Sequence, residues 1–502
     1  MAESNYDLAI VGAGLAGGVL AGAISQHGVN PRTGEPLRIA LLELGPYLKG
    51  TPKSGYGVPL RRQLFSNVTH EFRSGGRYTT PRGGGALVGG SSMHFGAFAF
   101  LPSPVDHRAW QNETGLDWTE QNLESSVEEI KKQFHVHKQP EGAWTAGHRL
   151  FRQAAGDLGY TVHTLRSATK NCLYCGFCGD GRNMCKYDAK MSSLMNYIPM
   201  AEKNGVEILD LAEVKSIILE GTKTVGVNYT RHGQNLQLLA DKVIVSAGGN
   251  TPHLLLASGY GRRDLLGARL LVENPNIGRH GDGRVRWALG GFFAEAVREG
   301  DRGWGGSAYV IDDRDPLYGE EQIMVFDQGF GDAIEPHRLA LHDFAPPFGR
   351  THKDFMRKKG SNFGYIDILC YKLKGPRVEI TTSGTSVRKN FENYLPALSK
   401  RLNEGVEIAL SIMGRMGPSR THISPSERRM SRAPGGSHGL CRAGVERKDS
   451  VVNQFLESHD IENLFVCDGT VLPRKPAGND SMTTASVARF AAQRIVERHF
   501  RN

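Results

Sequence analysis

The sequence predicts an α/β fold in which a Rossmann-like dinucleotide-binding sheet is joined to a second, antiparallel α+β domain, and three observations carry it. An apolar strand, Leu8-Ala9-Ile10-Val11, runs straight into Gly12-x-Gly14-x-x-Gly17. A second, Arg38 to Leu42, ends on Glu43. A third, Lys242 to Ala247, ends in Gly248-Gly249-Asn250-Thr251-Pro252 ahead of a Leu-rich helix and belongs in the same sheet. Strands that alternate with glycine turns and helices build parallel sheets. In the first unit Gly12 permits the tight turn, Gly14 lets the backbone approach a pyrophosphate, and Gly17 lets the helix pack on the strand. The helix N-terminus then supplies partial positive charge to the phosphates. Glu43 would hold the adenosine ribose hydroxyls. It stands 31 residues after Gly12, further than the usual ~20, and the polar stretch Gly28 to Pro36 is an inserted loop that absorbs the difference. Taken alone, the fingerprint also suits a glycine-rich turn in an ordinary α/β protein.

The remaining elements follow in order. Gly50 to Gly90 is loop-rich and suits a segment that covers a cofactor. Helical patterns occupy Thr119 to His135 and Gly147 to Leu158. Gly205 to Leu211, Val214 to Leu219, Lys223 to Arg231 and Asn235 to Ala240 form a small β meander. Strand-like runs at Ile323 to Phe326, Gly364 to Leu373 and Val378 to Thr382, with a long helix over Asn390 to Met413, make the antiparallel domain. Leu464 to Val466 is a final strand leading to Asp468 and Gly469, and Thr483 to Phe500 a final helix, so the chain returns to the nucleotide domain.

At 502 residues the chain exceeds one simple core and calls for two or three interdependent domains. Its formal charge of +9 favours anionic ligands such as a flavin dinucleotide, or an acidic redox partner, although a generally basic surface accounts for it equally well. No dense Lys/Arg run with interleaved aromatics is present, so no nucleic-acid partner is expected. Residues 7 to 24 are apolar but belong to the nucleotide unit, and no other uncharged run reaches ~18 residues, so no membrane span is expected. Without a signal-type N-terminus the cytoplasm is the expected location, with periplasmic co-export alongside a signal-bearing subunit as the alternative. Of seven cysteines, four crowd into fourteen residues, which reads as a metal site rather than a disulfide framework.

Five ordered blocks together resemble the glucose-methanol-choline (GMC) family of flavin oxidoreductases. They are the N-terminal fingerprint, Gly89-Gly90-Ser91-Ser92-Met93-His94-Phe95-Gly96, Ser246 to Leu255, Asn276-Ile277-Gly278-Arg279-His280, and the last seventy residues. The resemblance implies FAD as cofactor and oxidation of an alcohol by hydride transfer to the flavin. It implies a catalytic pair: His438, in Gly435-Gly436-Ser437-His438-Gly439, and Asn479, 41 residues on. The chemistry needs such a pair, because an alcohol donates hydride poorly until its hydroxyl proton is drawn away, and a neutral imidazole accepts that proton near neutral pH. Asn479 would orient the hydroxyl. By the same resemblance Gly90, Ser91 and Ser92 line the flavin face, Asp468 and Gly469 approach the pyrophosphate and ribityl region, and the helix carrying Thr483 points its N-terminus at the pyrimidine ring. His94 is the position of a covalent flavin link in some sugar oxidases, and an unlinked histidine fits it as well. Phe95 replaces an asparagine common in the family.

The block Cys172-x-x-Cys175-x-x-Cys178-x6-Cys185 is similar to that of the sugar dehydrogenases of this family, gluconate 2-dehydrogenase and glucoside 3-dehydrogenase. Three thiolates at that spacing can wrap one cluster, [4Fe-4S] or [3Fe-4S], with the fourth ligand from further along, whereas zinc prefers separated CxxC pairs. A structural role for the cysteines is the remaining alternative. The resemblance implies a sugar or glycoside substrate, including oxidation at C3 of a pyranose, and a small subunit, cytochrome or other acceptor as partner. An oxygen-using sugar, glycoside or aminoglycoside alcohol oxidase is the alternative. The domain reading is residues 1–110, 201–290 and 436–502 for the FAD-binding domain, 111–200 for a helical segment holding the cysteine loop (165–190), and 291–435 for the substrate domain.

Overall fold

The computed structural model describes residues 6–49, 68–71, 77–80, 85–175, 185, 187–298, 306–311, 321–327, 349–372, 378–383, 386–390, 394–423, 437–476 and 478–501. The strand Tyr6–Val11 sits at the centre of a seven-stranded sheet. Ile39–Leu42 and then Glu207–Leu209 pair in parallel on one side, and Gln234–Val245 pairs in parallel on the other. Leu8, Ala9, Ile10 and the facing Ile39, Leu41, Val243 and Ile244 are fully buried. Strands apolar on both faces are what a sheet covered by helices requires.

Two sequence expectations are corrected here. Gly205 to Leu211 supplies an edge strand of the parallel sheet, not the first strand of a meander. Asn235–Ala240 and Lys242–Ala247 are one twelve-residue strand, Gln234–Val245. Its first half pairs antiparallel with Lys223–Arg231, and its last three residues pair in parallel with Leu464–Val466. No glycine or proline interrupts residues 234–247, so nothing in the backbone stops the strand between the two halves.

The helix Leu15–His27 crosses the sheet against the C-terminal helix Ser481–His499 and the short helix Tyr197–Lys203. A Cβ on Gly22 would come within 2.7 Å of the Tyr197 carbonyl oxygen, so these helices approach only because residue 22 has none. Thr119 caps the helix Glu120–Gln133 by accepting from the Asn122 N–H, and Thr145 caps Ala146–Asp157. The helix Pro104–Thr114, absent from the sequence reading, opens on a capping box in which Ser103 and Asp106 satisfy each other's backbone donors.

The second sheet is antiparallel and six-stranded, ordered Arg420–Ile423, Arg284–Phe292, Phe363–Lys372, Glu321–Phe326, Ala308–Ile311 and Val162–Thr164. Its membership departs from the expected segment 291–435, because it draws strands from residues 162–164 and 284–290. The helix Tyr394–Met416 closes one face, packing Leu402, Ala409, Ile412 and Met413 on Leu289, Ile323, Ile366 and Ile368. At roughly 1.5–3 kcal/mol for each large apolar side chain fully buried, this layer is a core in its own right. On the other face Met324, Phe326 and Leu369 meet Ala97, Phe98 and Leu165 from the first half of the chain. Among the described residues no helix is long and apolar enough to cross a membrane.

Candidate active site

The glycine turns at the strand ends and the start of the C-terminal helix enclose a cavity of about 620 Å³, within the roughly 300–1,000 Å³ typical of ligand sites. Gly12 takes φ +99°, and a Cβ there would stand 2.5 Å from the Ser246 carbonyl oxygen. Gly17 does not line the cavity. It lies beneath the turn, where a Cβ would collide with the Gly12 carbonyl oxygen, so its role is the helix-on-strand packing read from the sequence. Gly90, at φ +53°, sits against Gly14, and a side chain would come 2.6 Å from the Gly14 Cα.

Glu43 and Asp468 brace the cavity walls. Glu43 accepts from the Ala13 N–H at 2.9 Å and the Gly45 N–H at 3.0 Å, tying the end of its strand to the fingerprint turn. Burial pushes its carboxyl up to about 7, against the opposing pull of those N–H groups. Asp468 accepts from the Gly248 N–H (2.9 Å) and Thr251 hydroxyl (2.5 Å) on one oxygen, and from the Thr470 N–H (2.8 Å) and hydroxyl (2.6 Å) on the other. The carboxylate predicted to approach the cofactor is thus also the clasp between two glycine turns. Ser92 is buried, donating to the Gly89 carbonyl at 2.6 Å, while Ser91 accepts from the Gly85 N–H at 2.9 Å.

His438 and Gly469 face one another across one end of the cavity. A Cβ on Gly469 would have His438 Nε2 at 3.5 Å, Thr484 Oγ1 at 3.7 Å and Asp480 Oδ2 at 3.8 Å. The residue that meets His438 is Asp480, with Nε2 2.8 Å from Oδ2. Asn479, the predicted partner, lies one position earlier and outside the cavity lining, as do His94 and Thr483, whose hydroxyl donates to the Phe100 carbonyl at 3.3 Å. Lys475 Nζ holds the other Asp480 oxygen at 2.5 Å. Burial opposes ionisation of Asp480, but Lys475 and His438 together hold its carboxyl well below the usual carboxylate range. Sequence reasoning missed Asp480 because an acid before a helix reads as an N-cap. Here its side chain makes no cap bond and turns to His438 instead.

The cysteine loop hangs from a short ladder in which Lys170 N–H donates to the Ala189 carbonyl and Met191 N–H to the Ala168 carbonyl. Cys172 Sγ accepts from the Tyr174 N–H and Cys185 Sγ from the Ala189 N–H, both at 3.4 Å. Cys175 is half-buried, and Cys178 lies outside the described residues. Among the described residues no three His, Cys, Asp or Glu side chains gather where they could hold a metal ion. Lys190, just past the loop, donates to the Phe95 carbonyl at 2.8 Å, and Phe95 lines the cavity.

Two observations test whether the cavity fits a flavin dinucleotide. A Cβ at Gly248 would stand in open space and one at Gly14 would only touch the Gly90 Cα at 4.0 Å, so both turns present bare backbone to the cavity as a cradle for phosphates. The Thr484 hydroxyl, on a residue 8 % exposed in the cavity wall, has no hydrogen-bond partner among the described residues. Both fit a polar ligand seated along the glycine turns and the helix N-terminus. Fold and cavity together define a two-sheet α/β protein with a cavity shaped for a dinucleotide.

The chain belongs to the GMC oxidoreductase family: the family's N-terminal profile matches residues 6–276 and its C-terminal profile residues 400–488. FAD is the cofactor of this class, and the chain is an FAD-dependent oxidoreductase. It is 24 % identical to a long-chain-alcohol oxidase of Arabidopsis thaliana over 98 % of this chain and 67 % of that one. It is 22 % identical to the gluconate 2-dehydrogenase flavoprotein of Pantoea cypripedii, over 99 % and 94 %. Among solved structures, pyridoxine 4-oxidase from Mesorbium loti superposes with a TM-score of 0.71 at 18 % identity, covering 99 % of this chain and all of that one, which establishes the shared fold.

Proposed function

We propose that the chain is an FAD-dependent dehydrogenase that oxidises a secondary hydroxyl of a sugar or glycoside, with C3 of a pyranose as the position to test first. The observation that carries the reading is His438 at the end of the cavity, within hydrogen-bond reach of a carboxylate and beside the bare backbone of Gly469. A substrate hydroxyl placed there loses its proton to the imidazole, which raises the hydride-donor strength of the carbinol carbon. FAD, when bound, accepts that hydride. Gly12, Gly14, Gly90, Ser91, Ser92 and Glu43 would hold its dinucleotide portion, with Gly469 and Thr484 near the ring system.

The cysteine loop supports the dehydrogenase over an oxidase. Cys172, Cys175, Cys178 and Cys185 would hold an iron–sulfur cluster, [4Fe-4S] or [3Fe-4S], as the exit for electrons to a small subunit, cytochrome or other acceptor. The N–H···S bonds at Cys172 and Cys185 are of the kind that stabilise cluster thiolates. The similarity to gluconate 2-dehydrogenase along 94 % of its length points the same way. We place the protein in the cytoplasm, with co-export beside a signal-bearing subunit as the alternative. A second reading, an oxygen-using sugar, glycoside or aminoglycoside alcohol oxidase with structural cysteines, is favoured by the similarity to the Arabidopsis oxidase.

The test is the absorption spectrum of anaerobically purified protein, with iron and sulfide assays, before and after a panel of sugars and glycosides. Flavin bands with about four iron per chain and bleaching by a sugar would establish the dehydrogenase. Flavin without iron would establish the oxidase, and no flavin would overturn both.

A further inference from the structure

We propose that Asp480 is a specificity-determining residue that, with His438, selects neutral vicinal diols. His438 Nε2 takes the hydroxyl to be oxidised, and Asp480 Oδ2 takes the hydroxyl on the neighbouring carbon. The inference rests on the reading of His438 as the base and of a sugar or glycoside as substrate, and it deepens that reading by naming the pattern of hydroxyls the site accepts. The argument begins with where the two atoms stand. Both residues line the same end of the cavity, with Nε2 and Oδ2 2.8 Å apart. A Cβ built on Gly469 would have them at 3.5 and 3.8 Å, so both stand over one patch of bare backbone. The His438 side chain is 13 % exposed and that of Asp480 32 %. Adjacent gauche hydroxyl oxygens on a sugar ring stand about one hydrogen-bond length apart, roughly 2.8 Å. The two acceptor atoms therefore match the two donors of a vicinal diol, one to one.

Asp480 is held for this use. Its other oxygen meets Lys475 Nζ at 2.5 Å, and Lys475 is tied in turn: its backbone N–H donates to Asp282 at 2.9 Å and its ammonium group to the Gly478 carbonyl at 3.4 Å. With that cation beside it the carboxyl stays ionised, and an ionised carboxylate only accepts hydrogen bonds. It therefore takes a hydroxyl and rejects any group that brings lone pairs or negative charge to the same place, such as an ether oxygen or a carboxylate. The other acids among the described lining residues are committed elsewhere. Glu43 accepts from the Ala13 and Gly45 N–H groups, and Glu213 pairs with Lys215. Asp468 is filled by four donors from Gly248, Thr251 and Thr470. In the structure the proton between the two atoms is carried by Nε2. A bound diol replaces it with two hydroxyl protons, the imidazole N–H passes to Nδ1, and Nε2 is the atom that receives the reacting proton. The neighbouring hydroxyl keeps its own proton, donates it to Oδ2 and takes no part in the oxidation.

The experiment is stopped-flow bleaching of the FAD-loaded enzyme by two sets of probes. One is methyl α-D-glucoside with its 2-deoxy and 4-deoxy analogues. The other is trans-1,2-cyclohexanediol with cyclohexanol and trans-2-hydroxycyclohexanecarboxylate. Wild type is expected to be bleached by the glucoside and the diol about 10–100-fold more efficiently than by one of the deoxy analogues and by cyclohexanol, the size of one lost hydrogen bond to a charged group. Asp480→Ala should bring the glucoside down to the level of that deoxy analogue and leave the analogue itself unchanged within about twofold, a coupling that general damage to the site does not produce. Asp480→Asn should act in the opposite direction on the hydroxycarboxylate, raising it about tenfold or more relative to the diol, because like charges no longer meet. Equal bleaching of wild type by the glucoside and both deoxy analogues would overturn the inference while leaving sugar oxidation standing, and it needs no variant. Bleaching by monohydric long-chain alcohols but by no sugar or diol would overturn the reading beneath it, and the inference with it.

Discussion

At the scale of single residues, the two carboxylates of the cavity behave oppositely, and each makes a measurable difference. Glu43 is raised to about 7 by burial, so the folded apoprotein holds a proton that the unfolded chain releases near 4.5. Its contribution to stability is therefore complete below about pH 4.5 and is lost as pH rises through 7. The apoprotein Tm should fall across that window, by the equivalent of about 3 kcal/mol at 1.36 kcal/mol per pH unit, and Glu43→Gln should flatten the dependence in thermal melts. Asp480, held low by Lys475 and His438, stays ionised throughout. His438→Gln is expected to lower kcat about 10²–10⁴-fold with flavin content per chain unchanged, which stopped-flow bleaching and absorbance would record. Gly12, Gly14 and Glu43 follow from a local pattern of strand, glycine turn and acid, and all three line the cavity, whereas His438 was read only from the resemblance of its block to the family. Asp480 was not legible, because an acid at a helix start has a commonplace use, and only the fold brings it to a histidine 42 residues away.

At the scale of elements, the strand and helix cores were legible and their partnerships were not. Apolar runs marked Leu8–Val11, Lys242–Ala247 and Leu464–Val466, and helical patterns marked two helices within a residue or two of where they begin. Pairing is set by distant contacts, so the split role of Gln234–Val245 and the transfer of Glu207–Leu209 to the parallel sheet could not be read locally. The Gly90 and Gly12-x-Gly14 turns meet in close backbone contact. Gly90→Val would add both a strained φ and a side chain 2.6 Å from Gly14 Cα. It is expected to remove bound flavin while leaving the antiparallel sheet folded, seen as colourless protein with a retained far-ultraviolet circular dichroism spectrum. Thr119→Ala should cost about 1 kcal/mol of local helix stability, readable as faster amide exchange over Glu120–Gln133.

At the scale of the whole molecule, the cysteine loop and the cavity are joined by a short run of chain. Cys185 stands five residues before Lys190, whose ammonium group holds Phe95 in the cavity wall, so no more than about 18 Å of extended backbone separates the two. Cys185→Ser is expected to reduce iron to background while leaving flavin in place, and to slow reduction of a one-electron acceptor far more than bleaching by substrate. An oxidase would show neither change. The family and the two-domain plan were legible because five blocks recur in order along the chain. The substrate was not, because it depends on how the strands from 284 to 423 present side chains across the sheet.

The cavity is drawn from both ends of the sequence: Gly12 and Glu43 from the first tenth, and Asp468, Asp480 and Thr484 from the last. The strand Leu464–Val466 and the start of the helix Ser481–His499 must therefore be synthesised before the flavin has a place to bind. Chains arrested before Leu464 should emerge colourless, so the cofactor reports that the late cavity walls have joined the early glycine turns as much as it equips the enzyme for turnover.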